Sequence, residues 1–196
     1  MRELALHILD IAENSVSAQA KNISIRVLED TIADRMRISV QDDGRGMDPE
    51  MVEMVIDPFI TSRTTRKVGL GIPLLKAAAE LCNGDLTIIS QPGHGTLICV
   101  DLQLNHIDRM PLGDLADTYL SLLIAHPEVH WIFDYQVIPP DETPQWFYLD
   151  DQPVKDTLDG LSLSDPTVLS YLKGVFQDGI NSIRRDDIEI ELNLNS

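Results

Sequence analysis

Apolar residues recur at helical spacing over residues 2–19. Leu4, Ala5, Ile8, Ile11, Ala12 and Val16 fall on one side, with Glu3, His7, Asp10, Asn14 and Ser17 opposite; Leu6 is the exception. The period then changes to two. From Asn22 to Leu28, Ile23, Ile25 and Val27 share one face, which predicts a half-buried strand, and Arg37 to Gln41 predicts a second, paired with it as a hairpin. Asp48 before Pro49 reads as a cap and first turn, so a short helix through Met51, Met54 and Val55 follows. Asp57-Pro58 ends it, because a residue before proline is pushed out of helical geometry.

Residues 59–68 are almost entirely polar and predict a loop of about ten residues, a length that is often a functional lid. Helical spacing returns from Gly71 to Leu81, with Pro73 tolerated in the first turn and Asn83-Gly84 as the stop. Leu86 to Ser90 and Thr96 to Leu104 read as strands around a turn at Gln91 to Gly95. This order predicts an α+β sandwich, a mixed sheet with its helices on one face. After Asn105 the pattern shifts. A helix over Asp114 to Ala125, a strand over Val129 to Ile138, a returning strand over Trp146 to Leu149, a helical stretch over Val154 to Leu161 and a last helix from Asp165-Pro166 to Ile183 follow. Two units are expected: residues 1–105, and a smaller α+β module over residues 106–196.

Composition narrows the classes. A net charge of −17 excludes a broad nucleic-acid surface, which needs clustered Lys and Arg. The one local basic cluster, Arg63, Arg66 and Lys67, has the size of a single polyphosphate. No apolar run approaches the roughly 20 residues of a membrane span, so no membrane partner is expected. Cys82 and Cys99 lack metal-ligand spacing, and a reducing cytoplasm is the simplest setting. The histidines show no ligand spacing either; His7 reads as a helix-surface or pocket-rim residue.

Four short stretches carry candidate chemistry. Asp10 and Asn14 stand four apart on one helix face; an amide oxygen there suits Mg²⁺, and a carboxylate one turn away suits a water. Alone, the pair reads first as a solvated helix face. Asp42-Asp43-Gly44-Arg45-Gly46 follows a strand, so its glycines permit close backbone approach and its first acid can accept a bond from an exocyclic amine. An ordinary acidic turn has the same letters. Gly69-Leu70-Gly71 opens a helix whose N–H groups suit phosphate oxygens. Gly93-His94-Gly95-Thr96 also reads as a hairpin turn.

Together, in this order, the stretches resemble the GHKL superfamily: gyrase, the Hsp90 chaperones, histidine kinases and MutL-type mismatch-repair ATPases. Asp10 to Ser15 resembles the N box, Asp42 to Gly46 the D-x-G-x-G motif, Pro58-Phe59-Ile60-Thr61 the F box of histidine kinases, Gly69-Leu70-Gly71 the end of their G-T-G-L-G, and Gly95-Thr96 the final G-T. The resemblance covers about residues 1–104 and implies the Bergerat sandwich, with ATP and Mg²⁺ as cofactors. It implies Mg²⁺ at Asn14, a general base at Asp10, the adenine amine at Asp42, and ATP contacts from Gly44, Gly46, Met47, Phe59, Arg63, Lys67, Gly69, Leu70, Gly71 and Thr96. In hydrolysing members the residue at position 10 is usually Glu; here it is Asp.

Histidine-kinase-like ATPase domains are the nearest type. Met1 is thirteen residues before Asn14, so a member without the dimerisation and phosphoacceptor domain is expected. The expected function is ATP/Mg²⁺ binding coupled to phosphorylation or conformational regulation of an unidentified protein partner, with a homodimer as one form. A non-catalytic nucleotide-dependent binding module is the alternative. A MutL-like clamp is disfavoured, because no basic DNA surface is evident. In the C-terminal half, Trp131, Phe133, Tyr135, Trp146, Phe147, Tyr148 and Tyr171 read mainly as core, with a partner surface as the other reading.

Overall fold

A computed structural model of the chain describes residues 3–57, 71–140, 143–158 and 162–183. The elements run α1 (Leu4–Ser17), β1 (Asn22–Asp30), β2 (Arg35–Asp42), α2 (Pro49–Ile56), α3 (Gly71–Leu81), β3 (Asp85–Ser90), β4 (Thr96–Gln103), α4 (Leu115–Ala125), β5 (His130–Ile138), β6 (Gln145–Asp150), α5 (Gln152–Thr157) and α6 (Pro166–Ile183). The strand boundaries expected from periodicity lie close to these, because the period-2 runs are bounded by polar turns. The Asp48 carboxylate accepts from Met51 N at 2.8 Å and starts α2 as expected.

The six strands form one mixed sheet in the order β3-β4-β2-β1-β5-β6, as the α+β sandwich reading requires. Every pairing is antiparallel except β1 with β5. Helices α2, α3, α1, α4 and α6 pack side by side over one face. Alternation sends Ile23, Ile25 and Val27 of β1, Met36, Ile38 and Val40 of β2, and Ile98, Val100 and Leu102 of β4 into the layer between. The fold is of the Bergerat type.

The domain boundary expected near residue 105 falls between β4 and α4. Residues beyond it extend the same sheet and the same core. Trp131, Phe133 and Tyr135 alternate inward from β5, and Phe133, Phe147, Phe176 and Tyr119 pack ring against ring between β5, β6, α6 and α4. The aromatics therefore divide. Trp131, Phe133 and Tyr135 are core; Trp146, Tyr148 and Tyr171 are exposed. No described helix is long and apolar enough to cross a membrane.

Candidate functional site

The last residue of β2 is the centre of the site. Alternation from Met36 through Ile38 and Val40 puts Asp42 on the core face, where it is buried under α1. Its carboxylate acts purely as an acceptor. Oδ1 takes Gly44 N at 2.9 Å and Thr96 N at 3.2 Å; Oδ2 takes the Ser15 hydroxyl at 2.7 Å. A carboxylate offers about four lone-pair positions, two on each oxygen, so one on Oδ2 is left for a further donor.

Three segments make this geometry. Ser15 continues the buried stripe Ile8, Ile11, Ala12 of α1 and so faces the sheet. Thr96 opens β4 directly opposite Asp42 in the antiparallel register. Ser90 closes β3 opposite Thr96; its Oγ donates to Gly95 O at 3.0 Å, accepts from Met47 N at 2.8 Å and lies 2.8 Å from Thr96 Oγ1. One continuous polar network thus joins Ser15, Asp42, Thr96, Ser90 and Met47. Asp42 is held by the backbone of Thr96, while the threonine hydroxyl turns to Ser90.

The two glycine turns lean on each other. Gly93 N donates to Arg45 O at 2.7 Å, and Arg45 N donates to Ala18 O at 2.9 Å at the end of α1. Gly46 has φ +66°, and a Cβ there would lie 2.0 Å from Gln91 O. Gly95 has φ +83°, and a Cβ there would lie 1.9 Å from Asp42 O. Only glycine allows that approach together with that φ.

Asp10 and Asn14 sit one turn apart on α1, half-buried and exposed respectively, and neither hydrogen-bonds to Asp42. An exposed amide beside a carboxylate fits an oxygen-ligated Mg²⁺. Gly71, the first residue of α3, is buried. Phe59, Arg63, Lys67, Gly69 and Leu70 lie outside the described residues, as do Pro58, Ile60, Thr61 and Arg66.

The helix-surface reading of His7 is a correction. The residue is only 3% exposed, because α1 is flanked by α3 on one side and α4 on the other above the sheet, leaving little of its circumference in solvent. Burial presses its imidazole below the ordinary value, against a hydrogen bond with the Gly71 backbone and the charge of Asp10. His7, Asp10 and Asn14 form one helical stripe, and the stripe reaches Gly71.

Sequence reasoning missed Ser15, Ser90 and Asp43. Ser15 had a signal, since a hydroxyl on an apolar stripe needs a partner. Asp43 accepts from Lys21 N at 2.7 Å, Asn22 N at 2.9 Å and Asn22 Nδ2 at 2.6 Å, and so fastens the turn to the start of β1. Burial alone would raise its carboxyl, but these donors outweigh it and hold the group below the usual range.

The family model for histidine kinase-, DNA gyrase B-, and HSP90-like ATPases matches residues 2–106. The chain is 36% identical over 110 residues to the sensor protein kinase FleS of Pseudomonas aeruginosa, covering 56% of this chain and 27% of that protein. It is 30% identical over 106 residues to the signal transduction histidine-protein kinase AtoS of Escherichia coli, covering 54% of this chain and 17% of that protein. The chain therefore spans well under a third of these sensor kinases. Among solved structures, the Aquifex aeolicus MutL ATPase domain complexed with ADP is similar at a TM-score of 0.45 and 15% identity, covering 90% of this chain and 70% of that one.

Proposed function

The chain belongs to the histidine kinase-, DNA gyrase B- and HSP90-like ATPases, and from that premise we propose that it binds ATP with Mg²⁺ and uses the bound nucleotide to phosphorylate or conformationally regulate a protein partner. The observation that carries this reading is the buried Asp42 carboxylate with three donors and one lone-pair position to spare. That position suits the exocyclic amine of adenine and repels the keto oxygen of guanine. Gly44 lets the turn pack against Ala18 at the end of α1 and Gly46 lets it pack against Gln91, which fixes the acid beside them, and Met47 follows on the same turn.

In this reading Asn14 would hold the metal, whose chemistry there would be to neutralise phosphate charge. Asp10 orients or deprotonates the group attacking the γ-phosphate. The N–H groups at Gly71, together with Gly69 and Leu70 before it, take phosphate oxygens, and Arg63 and Lys67 supply positive charge with Phe59 against the nucleotide. Residues 1–105 then carry the nucleotide site, and residues 106–196 carry its response to a partner, a second copy included.

The second reading is nucleotide-dependent binding without turnover. It is favoured by Asp at position 10, whose carboxylate is one methylene shorter than the Glu of hydrolysing members. Incubation with γ-labelled ATP separates the two. Phosphate release that vanishes in Asp10→Asn indicates hydrolysis, and label on a protein indicates transfer. Tight binding with neither supports the module and overturns the catalytic reading.

A further inference from the structure

His7 is the one buried polar side chain of α1 that is left partly unsatisfied. The residue is 3% exposed, and its Nδ1 has no hydrogen-bond partner among the described residues. The ring's bond to the Gly71 backbone is therefore made by Nε2. A buried nitrogen without a partner costs free energy, and an apolar side chain of similar size would avoid that cost. Helix α1 uses the apolar solution elsewhere, at the buried Leu4, Ile8 and Ile11. A side chain that breaks a local rule with no gain in packing is expected where function requires it.

The place of His7 in the fold supplies a function. His7, Asp10 and Asn14 stand at i, i+3 and i+7 and share one stripe of the helix. Ser15, which bonds to Asp42, is eight residues further on, about 12 Å along the helix axis. The ring thus stands at the end of α1 remote from the acid assigned to adenine. Gly71 is buried and opens α3, so its N–H has no partner within that helix. Helices α1 and α3 pack side by side. One imidazole therefore joins the helix that carries Asp10 and Asn14 to the start of the helix whose first N–H groups are assigned to phosphate.

We propose that His7 is a positioning residue for the terminal phosphate of the nucleotide: it fixes the start of α3 against Asp10 and Asn14. The proposal rests on the ATP reading of the site. In that reading the γ-phosphate lies between two walls, with Asp10 and Asn14 on one and the Gly71 N–H on the other. A bond from the first wall to the second sets their separation, and a misplacement of about 1 Å is enough to spoil such contacts. His7 acts through Gly71 and not by touching the nucleotide. It should therefore govern how well ATP is held relative to ADP, and leave the recognition of adenine to Asp42.

The test compares Mg·ATP and Mg·ADP affinities of the full chain by calorimetry in the wild type, His7→Leu and His7→Gln. Leu keeps most of the volume and removes both nitrogens. His7→Leu should bind Mg·ADP within about twofold of the wild type and Mg·ATP about five- to tenfold more weakly, the worth of one hydrogen bond. His7→Gln, whose amide reaches as far as Nε2, should recover most of the ATP affinity. If His7→Leu does not fold, His7→Asn replaces it, because its amide stops one methylene short of that position; it should lose ATP affinity where His7→Gln retains it. Equal losses for ATP and ADP would mark His7 as a packing residue and overturn the proposal, as would a glutamine variant no better than the leucine or asparagine one. Asp42→Asn separates the two claims. If it binds ATP as the wild type does, the pocket reading falls and this inference with it. If it fails to bind while His7→Leu follows the wild type for both nucleotides, the His7 inference alone is overturned.

Discussion

Removing the Ser15 hydroxyl tests the network at its most buried link. Ser15 Oγ lies 2.7 Å from Asp42 Oδ2, both residues are buried, and this hydroxyl is the one donor on that oxygen among the described residues. Ser15→Ala leaves the Gly44 and Thr96 N–H groups on Oδ1 and strips Oδ2. Hydrogen bonds to charged groups contribute about 1.5–3 kcal/mol, so a loss of about 2 kcal/mol is expected. For a domain of this size that is roughly 4–8 °C in Tm. Urea unfolding of Ser15→Ala, Asp42→Asn and the double variant closes a cycle. The coupling should reach about 1–2 kcal/mol with an unchanged m-value. Additivity within about 0.3 kcal/mol would refute the reasoning, since Ser15 would then be only a small filler on the apolar stripe.

Three further outcomes follow from the same geometry. Gly95→Ala forces a Cβ to within 1.9 Å of Asp42 O at a φ of +83° and should abolish nucleotide binding and lower Tm sharply; Gly93→Ala, with open space around its Cβ and φ +77°, should cost only about 1–2 kcal/mol, and equal melting temperatures for the two would contradict the stacked turns. Lys155→Met leaves the Asp151 carboxylate, 1% exposed, without its ammonium; chemical denaturation should show a loss of about 3–5 kcal/mol, recovered in part by adding Asp151→Asn, and a loss below about 1 kcal/mol would count against the pair. His7 is buried with its imidazole below the ordinary value, so the unfolded chain takes up that proton first as pH falls; its contribution is full above the ordinary imidazole value and declines below it. His7→Gln should therefore flatten part of the stability loss between about pH 7 and pH 5, and an unchanged dependence of the urea midpoint on pH would contradict its burial.

Much of this architecture was legible because period and punctuation agree. The Ile23-Ile25-Val27 alternation and the Asp48-Pro49 start each have a local physical cause, and the structure follows them. The surface reading of His7 failed for a non-local reason. The residue's position on the polar side of α1 is correct, but Gly71 at the start of α3 packs against it there, and no helical pattern within residues 2–19 reports that neighbour. The β1–β5 pairing was equally invisible, since it joins residues such as Asn22 and His130 that are 108 apart in the chain. With it went the continuity of the sheet across residue 105. At the site, Asp42 and the glycines were readable from their order, whereas Asp43 looked like half of a common acidic turn. Only the tertiary fold shows it gripping β1 with three donors.

The most direct test of the central claim is calorimetric titration of wild type and Asp42→Asn with Mg·ATP and Mg·GTP, with folding of both proteins verified by circular dichroism. Saturable binding of ATP by the wild type is expected, with weaker binding of GTP and at least about tenfold weaker ATP binding by Asp42→Asn, because the Gly44 and Thr96 N–H groups keep the amide oxygen at the Oδ1 position and leave an NH₂ where the amine needs an acceptor. Equal affinity of wild type and Asp42→Asn for ATP, or no preference of the wild type for ATP over GTP, would contradict it.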